Sequence, residues 1–127
     1  MKCPCCSDKL YKDCCEIAHN DLKQVKTAVV LMRSRYSAFV FANGDYLMQS
    51  HHKSTRPVKE KKAIVKWAKS VDWIKLDILN TTKGMEDDTE GTVEFKAIFQ
   101  EEGELQMIHE NSRFIKENGC WYYVEAL

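Results

Sequence analysis

Five of the chain's six cysteines fall in one short opening run, Cys3-Pro4-Cys5-Cys6 and then Cys14-Cys15. Clustered thiols in a chain expected to stay in the cytoplasm point to a metal rather than to disulfides. Zinc takes four thiolate or imidazole ligands in a tetrahedron. Pro4 stiffens the turn between Cys3 and Cys5, because its ring fixes φ. Cys14 and Cys15 follow after a short loop, so two close pairs can close such a site. Cys6 and His19 stay open as alternative ligands, and a set of reduced thiols that hold nothing is the plainer alternative. A site of four thiolates has no open position and is structural rather than catalytic. Its excess negative charge can be offset by Lys2, Lys9 and Lys12.

A second group of chemistry-bearing residues lies near the C-terminus. In a strand, alternate residues share a face, so Ile108, Glu110, Ser112 and Phe114 point the same way. If Ile108 and Phe114 enter the core, Glu110 and Ser112 enter with them, and a buried carboxylate needs a partner or a proton. Arg33 and Arg35 are the nearest candidate cations. They lie about 200° apart around a helix, so both cannot occupy the centre of one face. One reading pairs Glu110 with Arg33 or Arg35 and fixes helix to sheet. The other makes Glu110 an acid or base in a pocket, with His52 nearby and hydroxyls from Tyr36, Tyr46 and Tyr122. Ser112 has no evident activating base. Cys120 reads as a core thiol, and His19, His51 and His109 as surface or packing residues.

The elements that position these residues follow from periodicity and punctuation. Residues 16–27 read as a polar connector. Thr27 can cap a helix from about Ala28 to Ala42, whose apolar face is Val29, Met32, Tyr36, Phe39 and Val40. Asn43-Gly44 ends it, and Asp45 reads as the cap of a short helix. Pro57 interrupts before a third helix, about Val58 to Ser70, with Ala63, Ile64, Trp67 and Ala68 on its apolar side. The period then changes to two, with Ile74, Leu76 and Ile78 on one face and Val93, Phe95, Ala97 and Phe99 on another. Glu102-Gly103 and Asn118-Gly119 read as hairpin turns. Helices followed by an antiparallel meander make an α+β domain.

The opening residues resemble the SEC-C motif, named for the C-terminal tail of the SecA translocation ATPase. The match is carried by Cys3-Pro4-Cys5, Ser7, Tyr11 and Cys14-Cys15. The motif usually has glycine where this chain has Cys6 and Asp8, so a strained or altered turn is expected there. The rest of the chain resembles the YchJ-like family of uncharacterised bacterial proteins. The matching segments are Leu31 to Phe39, Asp45-Tyr46-Leu47 followed by His52, Glu110 to Phe114, and Asn118 to Tyr123. The resemblance implies a zinc segment over 1–19 and a domain over 27–127 similar to nuclear transport factor 2. In that fold, helices pack into the concave face of a curved antiparallel sheet and leave a cone-shaped pocket. Enzymes of similar fold, such as ketosteroid isomerase and scytalone dehydratase, place carboxylates, histidines or tyrosines in the cone.

Charge and composition narrow the function. Nineteen Lys and Arg balance nineteen Asp and Glu, which excludes a uniformly basic nucleic-acid binder. No apolar run approaches the roughly 18 residues needed to span a bilayer, and no signal-peptide core opens the chain. The charge is segregated, however. Residues 53–69 are basic and 86–104 are acidic, which leaves a local basic face open to an acidic partner or RNA. The leading expectation is a non-enzymatic interaction or ligand-binding protein. Its zinc segment would contact a protein or the ribosome, and its cone would take a small molecule. A small isomerase, dehydratase or hydrolase is the alternative, and nucleic-acid binding through 53–69 is the third. A homodimer is also consistent with the fold.

Overall fold

The computed structural model describes residues 1–127. After the cysteine run come α1 (Cys15–Asn20), α2 (Ala28–Val40), α3 (Gly44–Gln49) and α4 (Lys61–Ser70). Four strands follow, β1 (Asp72–Lys83), β2 (Glu90–Glu101), β3 (Glu104–Glu117) and β4 (Cys120–Ala126). They form one antiparallel meander in the order β1-β2-β3-β4. The fold is α+β, of the kind the resemblance implies.

Thr27 caps α2 as expected, its hydroxyl oxygen accepting from the Val30 amide. α2 is buried on nearly every side, not on one stripe. Leu31, Met32, Tyr36 and Ala38 enter the main core, while Ser34, Arg35 and Ser37 are buried as well. The reason is that α2 lies between the sheet and the cysteine segment, so its second face is covered too. The small Ser37 side chain lets the segment approach, its hydroxyl lying 3.5 Å from the Cys3 sulfur, while the Ser34 hydroxyl bonds to Leu31 and Tyr46. The connector 16–27 is correspondingly less polar in effect than it reads, because its own Ala18, Leu22 and Val25 are buried in the core.

Four local expectations are corrected. The cap of α3 is Asn43, whose side-chain oxygen accepts from the Tyr46 amide. Asp45 instead faces out and pairs with Lys61. The chain turns out of α2 at Ala42, which takes a left-handed φ of 53°. In β1 the pairing jumps from Trp73↔Phe99 to Lys75↔Ile98, so Ile74 is an extra residue. This bulge resets the alternation. Trp73, Leu76 and Ile78 then turn toward the core and Ile74 is exposed. Ala63 is also exposed, because α4 proper begins only at Lys61 and presents Ile64, Trp67 and Ala68 inward.

The inner face of β2 follows the expected period, with Val93, Phe95, Ala97 and Phe99 all buried. Both hairpin turns have positive φ at their two central residues, 51° and 81° at Glu102-Gly103 and 53° and 81° at Asn118-Gly119. Such a pair of dihedrals matches the right-handed twist of the flanking strands. Cys120 is buried in the core, as expected. No helix is long and apolar enough to cross a membrane.

Candidate functional site

The four sulfurs of Cys3, Cys5, Cys14 and Cys15 all lie within 4.8 Å of one another. Cys5 and Cys14 are 3.6 Å apart, Cys14 and Cys15 3.9 Å. A tetrahedron with metal–sulfur bonds of about 2.3 Å has edges of about 3.8 Å, so the spacing fits a four-thiolate ion. A short ribbon brings them together. The Cys3 amide donates to the Lys9 carbonyl and the Tyr11 amide to the Met1 carbonyl. Between these bonds the chain turns through Cys6 and Asp8, with φ of 65° and 67°. Both positions that the motif usually gives to glycine therefore keep a left-handed backbone, at roughly 1 kcal/mol or more each for a residue with a Cβ.

The thiols of the cluster influence one another's protonation. A hydrogen bond from Cys15 draws the Cys5 thiol down to about 4, while the same bond holds Cys15 well above the ordinary thiol range. Burial pushes Cys14 up. Metal ligation requires thiolates, so a bound cation would take the place of the protons on these thiols.

The other two sequence candidates have different partners. His19 accepts from the Tyr11 hydroxyl at Nδ1, 2.7 Å, and donates from Nε2 to the Ser34 carbonyl, 2.8 Å. Both ring nitrogens are thereby engaged, and burial lowers its proton affinity. Cys6 is exposed, and its sulfur accepts from the Leu76 amide of β1 at 3.5 Å. Arg33 also belongs to this region. Its Nη1 donates to the Cys5 carbonyl at 2.6 Å. The Cys3 sulfur lies 3.5 Å from the Ser37 hydroxyl. The segment is thus fastened to α2 and β1 at several points.

On the other side of α2 a cavity of about 250 Å³ opens between the helices and the sheet. Met32, Phe39, Trp67, Trp73, Phe95 and Ile108 supply apolar wall. Trp67 and Trp73 meet edge to face at 5.4 Å, and each contacts Phe39 and Phe99. Arg35, His51, Glu110 and Tyr123 supply the polar lining. Tyr36 lines the cavity as well.

The expected ion pair between Glu110 and an arginine does not form. Arg33 is turned toward Cys5, and Arg35 Nη1 donates to the Leu47 carbonyl and the Ser50 hydroxyl, 2.9 and 2.7 Å. The two arginines diverge because they project from different sides of α2. Glu110 accepts only from Ser112, at 3.5 Å, and Ser112 is buried behind it. His52 lies outside the cavity wall. Its Nε2 is 3.1 Å from Glu117, and its Nδ1 is 2.7 Å from the Ser54 hydroxyl. The histidine on the wall is His51, whose ring stands edge-on to Tyr123 at 4.9 Å. Burial, and then the positive charge of Arg35 and Arg56, lower it to about 4, so it is neutral at pH 7. Sequence reasoning missed His51 by one position, since the phase of the loop after α3 is set by a pairing of His51 with Tyr123. It also missed Tyr123 as a lining residue.

The family model for the YchJ middle domain, a nuclear transport factor 2-like domain, matches residues 27–126. A UPF0225 protein of Vibrio parahaemolyticus is 44% identical over 98% of this chain and 73% of its own length. One from Chromobacterium violaceum is 42% identical over 98% of this chain and 91% of its own. The solution structure of a SEC-C motif containing protein from Rhodopseudomonas palustris superposes with a TM-score of 0.85 at 32% identity, covering 100% of this chain and 98% of that one. The crystal structure of a SEC-C motif containing protein from Psychrobacter arcticus gives 0.80 at 34% identity, covering 97% and 80%. With its cysteine cluster fastened to a domain of this type, the chain belongs to the YchJ-like UPF0225 family.

Proposed function

We propose that the protein is a zinc-stabilised, non-enzymatic module that binds a small molecule in its cone. The observation that carries the ligand reading is the open, aromatic-walled cavity with a polar end. Ligand sites are typically concave, largely apolar and marked by a few polar groups. Cys3, Cys5, Cys14 and Cys15 would hold the zinc, whose role is to cross-link the segment. The segment then covers the outer face of α2, and α2 forms the cavity's other wall.

Binding rather than turnover fits the lining. Arg35 bonds to Leu47 and Ser50, Glu110 reaches only Ser112, and the one histidine–carboxylate pair near the site, His52 with Glu117, lies outside it. The one hydroxyl–carboxylate contact at the cavity, Ser112 with Glu110 at 3.5 Å, puts the serine fully buried behind the wall rather than on it, away from an incoming substrate. Ala97 of β2 gives the direct test, because it lines the cavity with a single methyl. Ala97→Phe is expected to fill the space and weaken binding of 3-phenylpropan-1-ol at least about tenfold, while denaturation stays cooperative. Calorimetry showing equal binding to both proteins contradicts the reading.

The outward side of the cysteine segment exposes Lys2, Lys9 and Lys12. It is the surface we assign to a protein or ribosomal partner. A Cys3→Ser, Cys14→Ser variant should lose co-sedimentation with purified ribosomes. Retained co-sedimentation would remove that role.

A further inference from the structure

One cation of the cavity lining, Arg35, forms no ion pair. It is 7% exposed. Its guanidinium lies over the Tyr123 ring, 4.7 Å from the centroid. Only Nη1 is engaged, with Leu47 and Ser50. Every fully enclosed side-chain nitrogen or oxygen in the protein has a partner. The unpaired Nε and Nη2 of Arg35 are therefore not fully enclosed, and Arg35 is one of the residues that line the cavity. A second guanidinium, Arg56, donates from Nε to the His51 carbonyl at 2.9 Å, and it too is without a carboxylate partner. A buried charge without a counter-charge is costly, and a planar fork with two free nitrogens matches a carboxylate.

We propose that the cone binds a small aromatic monocarboxylate, its carboxylate on Arg35 and its ring against Trp67 and Trp73. This rests on the ligand-binding reading above and names the ligand's class. The volume sets the size. A dry cavity of about 150 Å³ accepts benzene, so 250 Å³ accommodates a molecule of about ten heavy atoms. The wall sets the rest of the chemistry, because edge-to-face aromatic surfaces favour a ring. Glu110 is the opposing element. Its carboxylate lines the same cavity, so a ligand cation would be drawn to it, and the two charges make opposite predictions about ligand sign.

Titration of the purified full chain with 3-phenylpropionate, 3-phenylpropan-1-ol and 3-phenylpropylamine decides between them. The carboxylate is expected to bind at least about tenfold more tightly than the alcohol, and the amine most weakly, as charge-assisted bonds require. Glu110→Gln should tighten the carboxylate several-fold, since it removes a like charge and keeps the shape. This variant matters because Arg35→Met also breaks the bonds to Leu47 and Ser50 and can fail to fold. Alcohol and carboxylate binding within twofold of each other would overturn the anion inference and leave the ligand-binding cone standing. Amine binding tightest of the three, or weaker carboxylate binding in Glu110→Gln, would also overturn it. Absence of binding by all three would overturn both.

Discussion

Cys5→Ser is expected to lose the metal and detach the first fifteen residues from α2. Cys5 is wholly buried, and its carbonyl receives Arg33 while its sulfur touches Cys14. Serine cannot supply the soft fourth ligand that zinc selects. Loss of an ion present at a thousandfold above its dissociation constant removes about 4 kcal/mol of stability. The melting temperature should fall, and amide exchange should accelerate in the ribbon and along the face of α2 that carries Ser34 and Ser37. β2 and β3, whose pairing does not involve the segment, should keep their protection. An unchanged melting temperature, with or without a strong chelator, would contradict the structural role of the metal.

Trp121→Ala is expected to be the most damaging single change outside the cysteines. Trp121 is fully buried, and its indole N–H donates to the Lys26 carbonyl at 3.1 Å. That bond ties β4 to the loop that enters α2. Truncation leaves a large cavity and an unpaired carbonyl, at about 3–5 kcal/mol. With a typical slope of about 2 kcal/mol/M, the urea midpoint should drop by roughly 2 M. A loss below about 1 kcal/mol would mean that the β4 end of the core repacks freely.

Much of this was legible in the residues because it was local. The cysteine pairs, the Thr27 cap, the alternation of Val93 to Phe99 and the Asn118-Gly119 turn each depend on neighbours a few positions away. The cysteine cluster was legible for the same reason, although its attachment to α2 was not. That attachment runs through the Ser37 hydroxyl beside Cys3 and the Ser34 carbonyl beside His19, which meet the segment only once α2 is covered on both sides. The bulge at Ile74 was invisible, since Ile74, Leu76 and Ile78 alternate well and only the pairing with β2 shows the extra residue. The pocket was legible in kind and wrong in detail. The alternation of β3 brought Glu110 and Ser112 inward. It could not show that Arg35 would bond to α3 and Ser50 rather than to Glu110. Nor could it show that His51 rather than His52 would face the cavity.

Two facts link the segment to the cavity. The four sulfurs converge at metal distances, and the helix they cover is the helix that lines the cone. Binding at the cone should therefore depend on the metal at a distance, through α2. The ion itself comes first in that dependence. Native mass spectrometry of the purified, full chain under non-denaturing conditions measures it directly. One zinc per wild-type chain, lost in Cys5→Ser, is the result expected. A metal-free wild-type chain, with Cys3, Cys5, Cys14 and Cys15 either open to alkylation or joined as disulfides, would contradict it.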